Sequence, residues 1–289
     1  MNPVTGSLQQ QWKRYRKALK RCQRKFSPAA IHDFRIETRR LLSGLELLGS
    51  LLPARRLDKA RRLLKRPLDL FDELRDTQVL LETLARTHRR SSAARLFRAS
   101  LLKREQRCAR RTRKQIQKVR IRRLGKLVNE YQGDLGELLA DSTPRKALAA
   151  LLRSVNRAFR RASRLRAGVN PRDTTTIHRA RVAFKKFRYM VEALGQSLTA
   201  VPPERLVAMR RYQTMMGNIQ DSAVLLAALD RFLLKQRVSP ESARLFRAQL
   251  LRRRQRLIGR YLAAADQLLA FWPLSQGSPL RAAPLRNPL

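Results

Sequence analysis

An all-α fold is predicted by three features of the sequence. Apolar residues recur at the helical spacing in one stretch after another. Nothing alternates at period two over a useful length, and a long pattern is written twice. Ile31-His32-Asp33-Phe34-Arg35-Ile36-Glu37-Thr38-Arg39-Arg40 returns 146 residues later as Ile177-His178-Arg179-Ala180-Arg181-Val182-Ala183-Phe184-Lys185-Lys186. Farther on, the fourteen residues from Ala94 to Arg107 reappear from Ala243 to Arg256 with eleven identities. The offset runs from 140 residues at Lys13 and Arg153 to 149 at Arg95 and Arg244, so insertions fall in connections while helices keep their registers.

Residues 1–7 are polar with Gly and Pro, and are expected to fray as a disordered N-terminus. A helix is expected from near Leu8 to Phe26, stopped by Ser27-Pro28. Its cations Lys13, Lys17, Lys20, Arg21 and Arg24 gather into a stripe, and Arg153, Arg157, Arg160, Arg161 and Arg164 repeat the spacing. The second helix sets His32, Arg35 and Arg39 opposite Phe34, Leu41, Leu45 and Leu48, and ends around Leu51-Leu52-Pro53. Its counterpart sets His178, Arg181 and Lys185 opposite Phe184, Phe187, Val191 and Leu194, and ends between Leu198 and Pro203. Glu46 and Glu192 match at the same offset and lie on the basic side, within helical reach of Ser43 and Tyr189.

A third helix carries Lys65-Arg66, matched by Arg210-Arg211, and leads into Leu74-Arg75-Asp76-Thr77-Gln78-Val79-Leu80-Leu81. The match there is Ile219-Gln220-Asp221-Ser222-Ala223-Val224-Leu225-Leu226, so the aspartate is retained while Arg75 becomes Gln220. An acid kept amid such positive charge is expected to orient a neighbouring arginine or cap a helix start. Arg120 to Ala140 reads as an additional helix of the first copy. Gly133 and Gly136, then Asp141-Ser142-Thr143-Pro144, read as a hinge followed by an N-cap and a first-turn proline. Past Trp272 the chain turns to Pro-Leu-Ser-Gln-Gly-Ser-Pro, and residues 273–289 are expected to form a disordered Pro-rich tail. These boundaries give a first repeat over 8–141 and a second over 142–272, each a four-helix bundle beside the other.

Charge narrows the function. Against 21 acids the chain carries 65 Lys+Arg, a net +44, which would self-repel in a compact state without polyanions or counterions. The expected partner is anionic. Only 14 of the cations are lysines, and the planar guanidinium of the other 51 can donate two parallel hydrogen bonds to phosphate. A GC-rich genome also raises the Arg:Lys ratio, but not the excess of positive charge. Cys22 and Cys108 are far apart and outside any Cys-x-x-Cys motif, so free thiols in a reducing cytosol are expected, with no zinc site or disulfide framework. Met1 to Gln11 lacks the apolar run of a secretory signal, and no stretch is apolar enough to span a bilayer, which predicts a soluble cytoplasmic protein.

The Ile-His-x-x-Arg-x-x-x-Arg/Lys-Arg/Lys helix, the later Leu/Ile-x-Asp-x-x-Val-Leu-Leu element and the doubling of both in a very basic helical chain resemble the CHAD domain, a histidine-bearing α-helical family that binds inorganic polyphosphate. The similarity covers about residues 8 to 272. It implies a pseudo-twofold pair of bundles with a basic groove or channel between them for a polyphosphate chain. By motif, the resemblance assigns ligand contact to His32, Arg35, Arg39 and Arg40, and to His178, Arg181, Lys185 and Lys186 with Arg188 nearby. Lys65-Arg66, Arg210-Arg211 and the first-helix stripes follow as secondary candidates. It also implies a role in bringing the protein or a partner to polyphosphate granules.

The chemistry agrees with that expectation. Linear polyphosphate offers charged oxygen acceptors and no base or sugar, so its site needs cations and donors but no stacking platform. Aromatics are 6% of the chain, and Phe34, Phe97, Phe184 and Phe187 sit at apolar helix positions that suit a core. Affinity should fall steeply with salt as counterions are released, and imidazole should favour binding at mildly acid pH. General nucleic-acid binding remains the alternative, since basic helices also hold DNA or RNA backbones. No helix-turn-helix, zinc-finger or RNA-binding signature accompanies it. A metal phosphohydrolase is suggested by His32-Asp33, but the second copy has His178-Arg179 and the one other histidine is His88. No Gly-x-x-x-x-Gly-Lys loop is present either. Neither metal, cofactor nor catalysis is therefore expected.

Overall fold

In a computed structural model, the described residues are 3–49, 51, 54–86, 91–140, 143–197, 201–235 and 238–272, and every regular element among them is a helix. His88, Asp141, Ser142 and the expected tail 273–289 lie outside the described residues. Helix α1 spans Pro3–Arg24, so it begins at Pro3 rather than near Leu8 and takes in most of the segment expected to fray. Proline suits a first helical turn because its missing N–H would be unbonded there anyway. Along α1, Leu8, Trp12, Tyr15, Leu19 and Cys22 step by four and three residues and are all buried.

Helix α2 (Pro28–Leu48) starts where Ser27 Oγ accepts from the Ala30 N–H, with Pro28 in the first turn. Its counterpart α8 spans Thr174–Ser197, preceded by a turn in which Asp173 accepts from the Thr175 N–H at 2.9 Å. The third element differs between copies. In the first it is split into α3 (Ala54–Asp69) and α4 (Asp72–Ala85), while in the second α9 runs unbroken from Pro203 to Leu233. Pro67 does not mark the break, because it lies inside α3, which continues to Asp69; at the offset of 145 its place is taken by Tyr212. Helix α5 (Ser92–Gln117) is capped by Ser91, and its match α10 (Pro240–Ala263) by Ser239. Helix α6 (Arg122–Ala140) is the expected addition, and α11 (Gln267–Ala270) follows α10.

Gly133 and Gly136 lie inside α6, so the expected hinge is not at those glycines. Helix α7 (Pro144–Ala167) does begin as expected, with Thr143 Oγ1 accepting from the Lys146 N–H and Pro144 in the first turn.

The matching stretches do not enclose separate cores. Helix α1 packs on α2 and α7 on α8, but α2 also packs on α8, α4 on α9 and α5 on α10. The larger core joins both copies. Phe34 makes tilted ring contacts with Tyr15 and Phe71, while Phe184 meets Tyr212 at 4.8 Å, Phe187 and Phe271. A smaller core lies between the α4–α5 and α9–α10 hairpins, where Phe97 contacts Phe232 at 5.2 Å among Leu80, Leu84, Leu225, Leu229 and Leu250. Side-chain bonds tie the same hairpins, with Ser92 and Ser242 hydroxyls 3.0 Å apart. Both cysteines are buried and unbridged.

Phe184 is fully buried at the centre of the aromatic group. Truncation to alanine removes ring contacts and leaves a cavity, at about 3–5 kcal/mol. Phe184→Ala should therefore lower the urea midpoint markedly with little change in slope; a loss under about 1 kcal/mol would mean that the α8–α9 packing is wrong.

Candidate functional site

The packing of α2 on α8 brings the two histidine helices together, and the basic residues of both copies converge there. Arg35 is 8% exposed, and its Nη1 donates to the Phe71 carbonyl at 3.3 Å, over the break between α3 and α4. Burial and the neighbouring Arg39 hold its pKa down at about 10, against the pull of Asp72. Across the contact, burial also lowers Arg181, with Asp221 opposing that shift and Arg39 adding to it. Its guanidinium lies over α9 at Gly217, where an added Cβ would stand 3.5 Å from Nε. Lys185 is affected most. Burial, then Arg39, Arg181, Arg35 and Arg188, push it down to about 7.

Arg35 and Arg39 from the first copy and Arg181 and Lys185 from the second thus form one cluster of like charge. His178 joins it, its pKa lowered by burial and by Arg181, while a hydrogen bond with the Gln220 side chain favours its charged form. His178 Nδ1 and Arg181 Nε are buried without a hydrogen-bond partner. The neighbouring acids are Asp72 and Asp221, both pushed upward by burial and pulled down by Arg35 and Arg181 respectively.

On the first-copy side the cluster opens into a cavity of about 660 Å³. His32, Arg35, Arg39, Arg75 and Gln78 line it together with Asp33, Glu82 and Glu105. His32 is exposed there, in contrast to half-buried His178. Arg75 pairs with Glu82 at 2.9 Å, whereas its match Gln220 is neutral and bonds His178, so the copies are chemically unequal at this position.

Other predicted residues are placed elsewhere. Arg40 is tied to Glu37 at 2.6 Å, and Lys186 lies 3.6 Å from Glu46, which also meets Arg61 of α3. Arg188 is 6% exposed, bonded to Glu192 and, at 2.8 Å, to Gln213, with its guanidinium over Tyr189. Its donors are committed inside the fold. Arg210 also reaches Glu192, at 3.2 Å, while Arg211, Lys65 and Arg66 are exposed on α9 and α3. Lys13, Lys17 and Lys20 on α1, and Arg153, Arg157, Arg160 and Arg161 on α7, are exposed. Arg21 reaches the cavity wall through Asp33 at 2.7 Å, and Arg157 bonds Ser154.

Sequence reasoning overlooked Asp72, Gln78, Glu82 and Glu105 as neighbours of the site. A signal for Asp72 was its position in the first turn of α4, beside the break that receives Arg35. Asp76 and Asp221 lie beyond the first turns of α4 and α9, so neither caps a helix start, and Asp221 lies near enough to Arg181 to favour its charge.

Among the described residues no group of three or more His, Cys, Asp or Glu side chains could hold a metal ion. No described helix is long and apolar enough to cross a membrane.

The fold and site define an all-α protein whose basic helices converge on a desolvated cationic cluster. The chain belongs to the CHAD domain family, whose family model matches residues 6–230. Its fold is similar to the crystal structure of the CHAD domain from the plant Ricinus communis, at a TM-score of 0.69 and 20% identity over 93% of this chain and 90% of that one. It is also similar to PptA from Streptomyces chartreusis, at 0.65 and 18% over 93% and 98% of the respective chains. No curated protein matches the chain.

Proposed function

We propose that this protein binds inorganic polyphosphate without turning it over, on the cluster formed where α2 meets α8. The carrying observation is the placement of Arg35, Arg39, Arg181 and Lys185 close enough for each to disfavour its neighbours' charge. Such a grouping opposes folding unless something anionic relieves it. A flexible chain of phosphoryl groups supplies acceptors for guanidinium donors from both helices at once. It needs no aromatic platform, and the rings near the site are committed to the core. Binding of this kind would bring the protein, or a partner carried with it, to polyphosphate granules in the cytoplasm.

Competition tests the reading. Duplex DNA should displace bound polyphosphate only weakly, because a rigid duplex cannot follow a site set between two helices. Displacement at equal phosphate concentration would instead favour a general nucleic-acid binder. The purified protein should release no phosphate from polyphosphate, and sustained release abolished by His32→Ala would establish catalysis.

A further inference from the structure

We infer that the second half of α5 is a separate contact surface for polyphosphate, so that one molecule can bridge two chains. This rests on the function proposed above. Lys103, Arg107, Arg110, Arg113, Lys114 and Lys118 recur mainly at intervals of three and four residues, and all are exposed. From Lys103 to Lys114 they cover about 17 Å of helix at 1.5 Å per residue, and Lys118 follows at the C-cap. Two other cations of α5, Arg104 and Arg111, are drawn to Glu73, whereas these six form no ion pair among the described residues. The stripe does not belong to the α2–α8 site. Glu105 lines the cavity there, and Lys114 lies nine residues on, two and a half turns away and so on the opposite side of the helix.

The duplication supplies an internal control. At the offset of 149, Lys103 and Arg107 correspond to Arg252 and Arg256. The rest of the stripe does not persist: Arg110, Arg113, Lys114 and Lys118 correspond to Gly259, Leu262, Ala263 and Gln267. Helix α10 extends through Ala263 without those cations, so the fold does not require them. Like charges three and four residues apart weaken a helix. Folding therefore disfavours the stripe, and charge complementarity to a polyanion gives it a use. Because these cations are solvated, their contacts should be weaker and more sensitive to salt than those of the desolvated cluster.

The test uses the full chain and the variant Arg110→Gln/Arg113→Gln/Lys114→Gln, which keeps good helix formers at these positions. Wild type should take up two short polyphosphate chains per molecule, one tightly and one weakly, and should scatter light strongly with long-chain polyphosphate. The variant should take up one, at unchanged tight affinity, with scattering lost and long-chain avidity reduced about tenfold or more. A single short chain per wild-type molecule, or undiminished scattering by the variant, would overturn the inference. So would a variant that loses only duplex DNA binding, since the stripe would then serve nucleic acid. Failure of the parent reading looks different: Arg35→Ala/Arg181→Ala would leave the tight step in place.

Discussion

Arg35→Ala/Arg181→Ala should reduce polyphosphate affinity by about a hundredfold or more while leaving the helical fold intact. Each guanidinium is desolvated, and the two come from opposite helices of the α2–α8 contact. A hydrogen bond to a charged group contributes about 1.5–3 kcal/mol. Two such losses reach two decades in Kd, at about 1.4 kcal/mol per decade. Removing either partner alone should lower affinity less, and the two effects should couple, because both cations face Arg39. The same change at exposed Lys65 and Arg66 should alter affinity only slightly, because exposed charges are screened. A double variant that binds as tightly as wild type would remove α2 and α8 from the site.

Lys185→Met should stabilise the free protein by about 1–3 kcal/mol and weaken polyphosphate binding at the same time. The opposed signs distinguish a ligand-facing cation from a structural one. In the fold Lys185 titrates at about 7, below its ordinary value of 10.5. Between these values the unfolded chain holds a proton that the folded chain has lost, so stability rises with pH across that window. Below about pH 7 the penalty is fully present. The substitution should flatten this slope, which urea unfolding at a series of pH values would show. A bound polyanion acts in reverse, raising the pKa of Lys185 and of His178. Binding should take up protons and strengthen as pH falls through neutrality. If Lys185→Met with His178→Ala left the pH dependence of affinity unchanged, these two groups would not face the ligand.

Much of this was legible in the sequence because helices are local. Ser27-Pro28, Thr143-Pro144 and the buried spacing on α1 mark helix starts and faces without reference to anything distant. What periodicity cannot give is the partner of a face. The duplicated stretches therefore suggested a four-helix bundle from each copy, side by side, and helices of both copies contribute to each core. The same limit affected the site. Arg35, Arg39, Arg181 and Lys185 were readable as basic faces, but Arg188 differs from them only through Glu192 and Gln213, and Gln213 comes from another helix. Pro67 was no guide to the break between α3 and α4 that receives Arg35, because the helix continues past it to Asp69.

Calorimetric titration of the wild-type protein with long-chain polyphosphate at near-physiological salt, beside duplex DNA and orthophosphate, tests the central claim most directly. Tight binding of polyphosphate alone, lost in Arg35→Ala/Arg181→Ala, is the predicted result. Comparable binding of DNA and polyphosphate, unchanged by those substitutions, would contradict it and assign the charge to a diffuse polyanion surface.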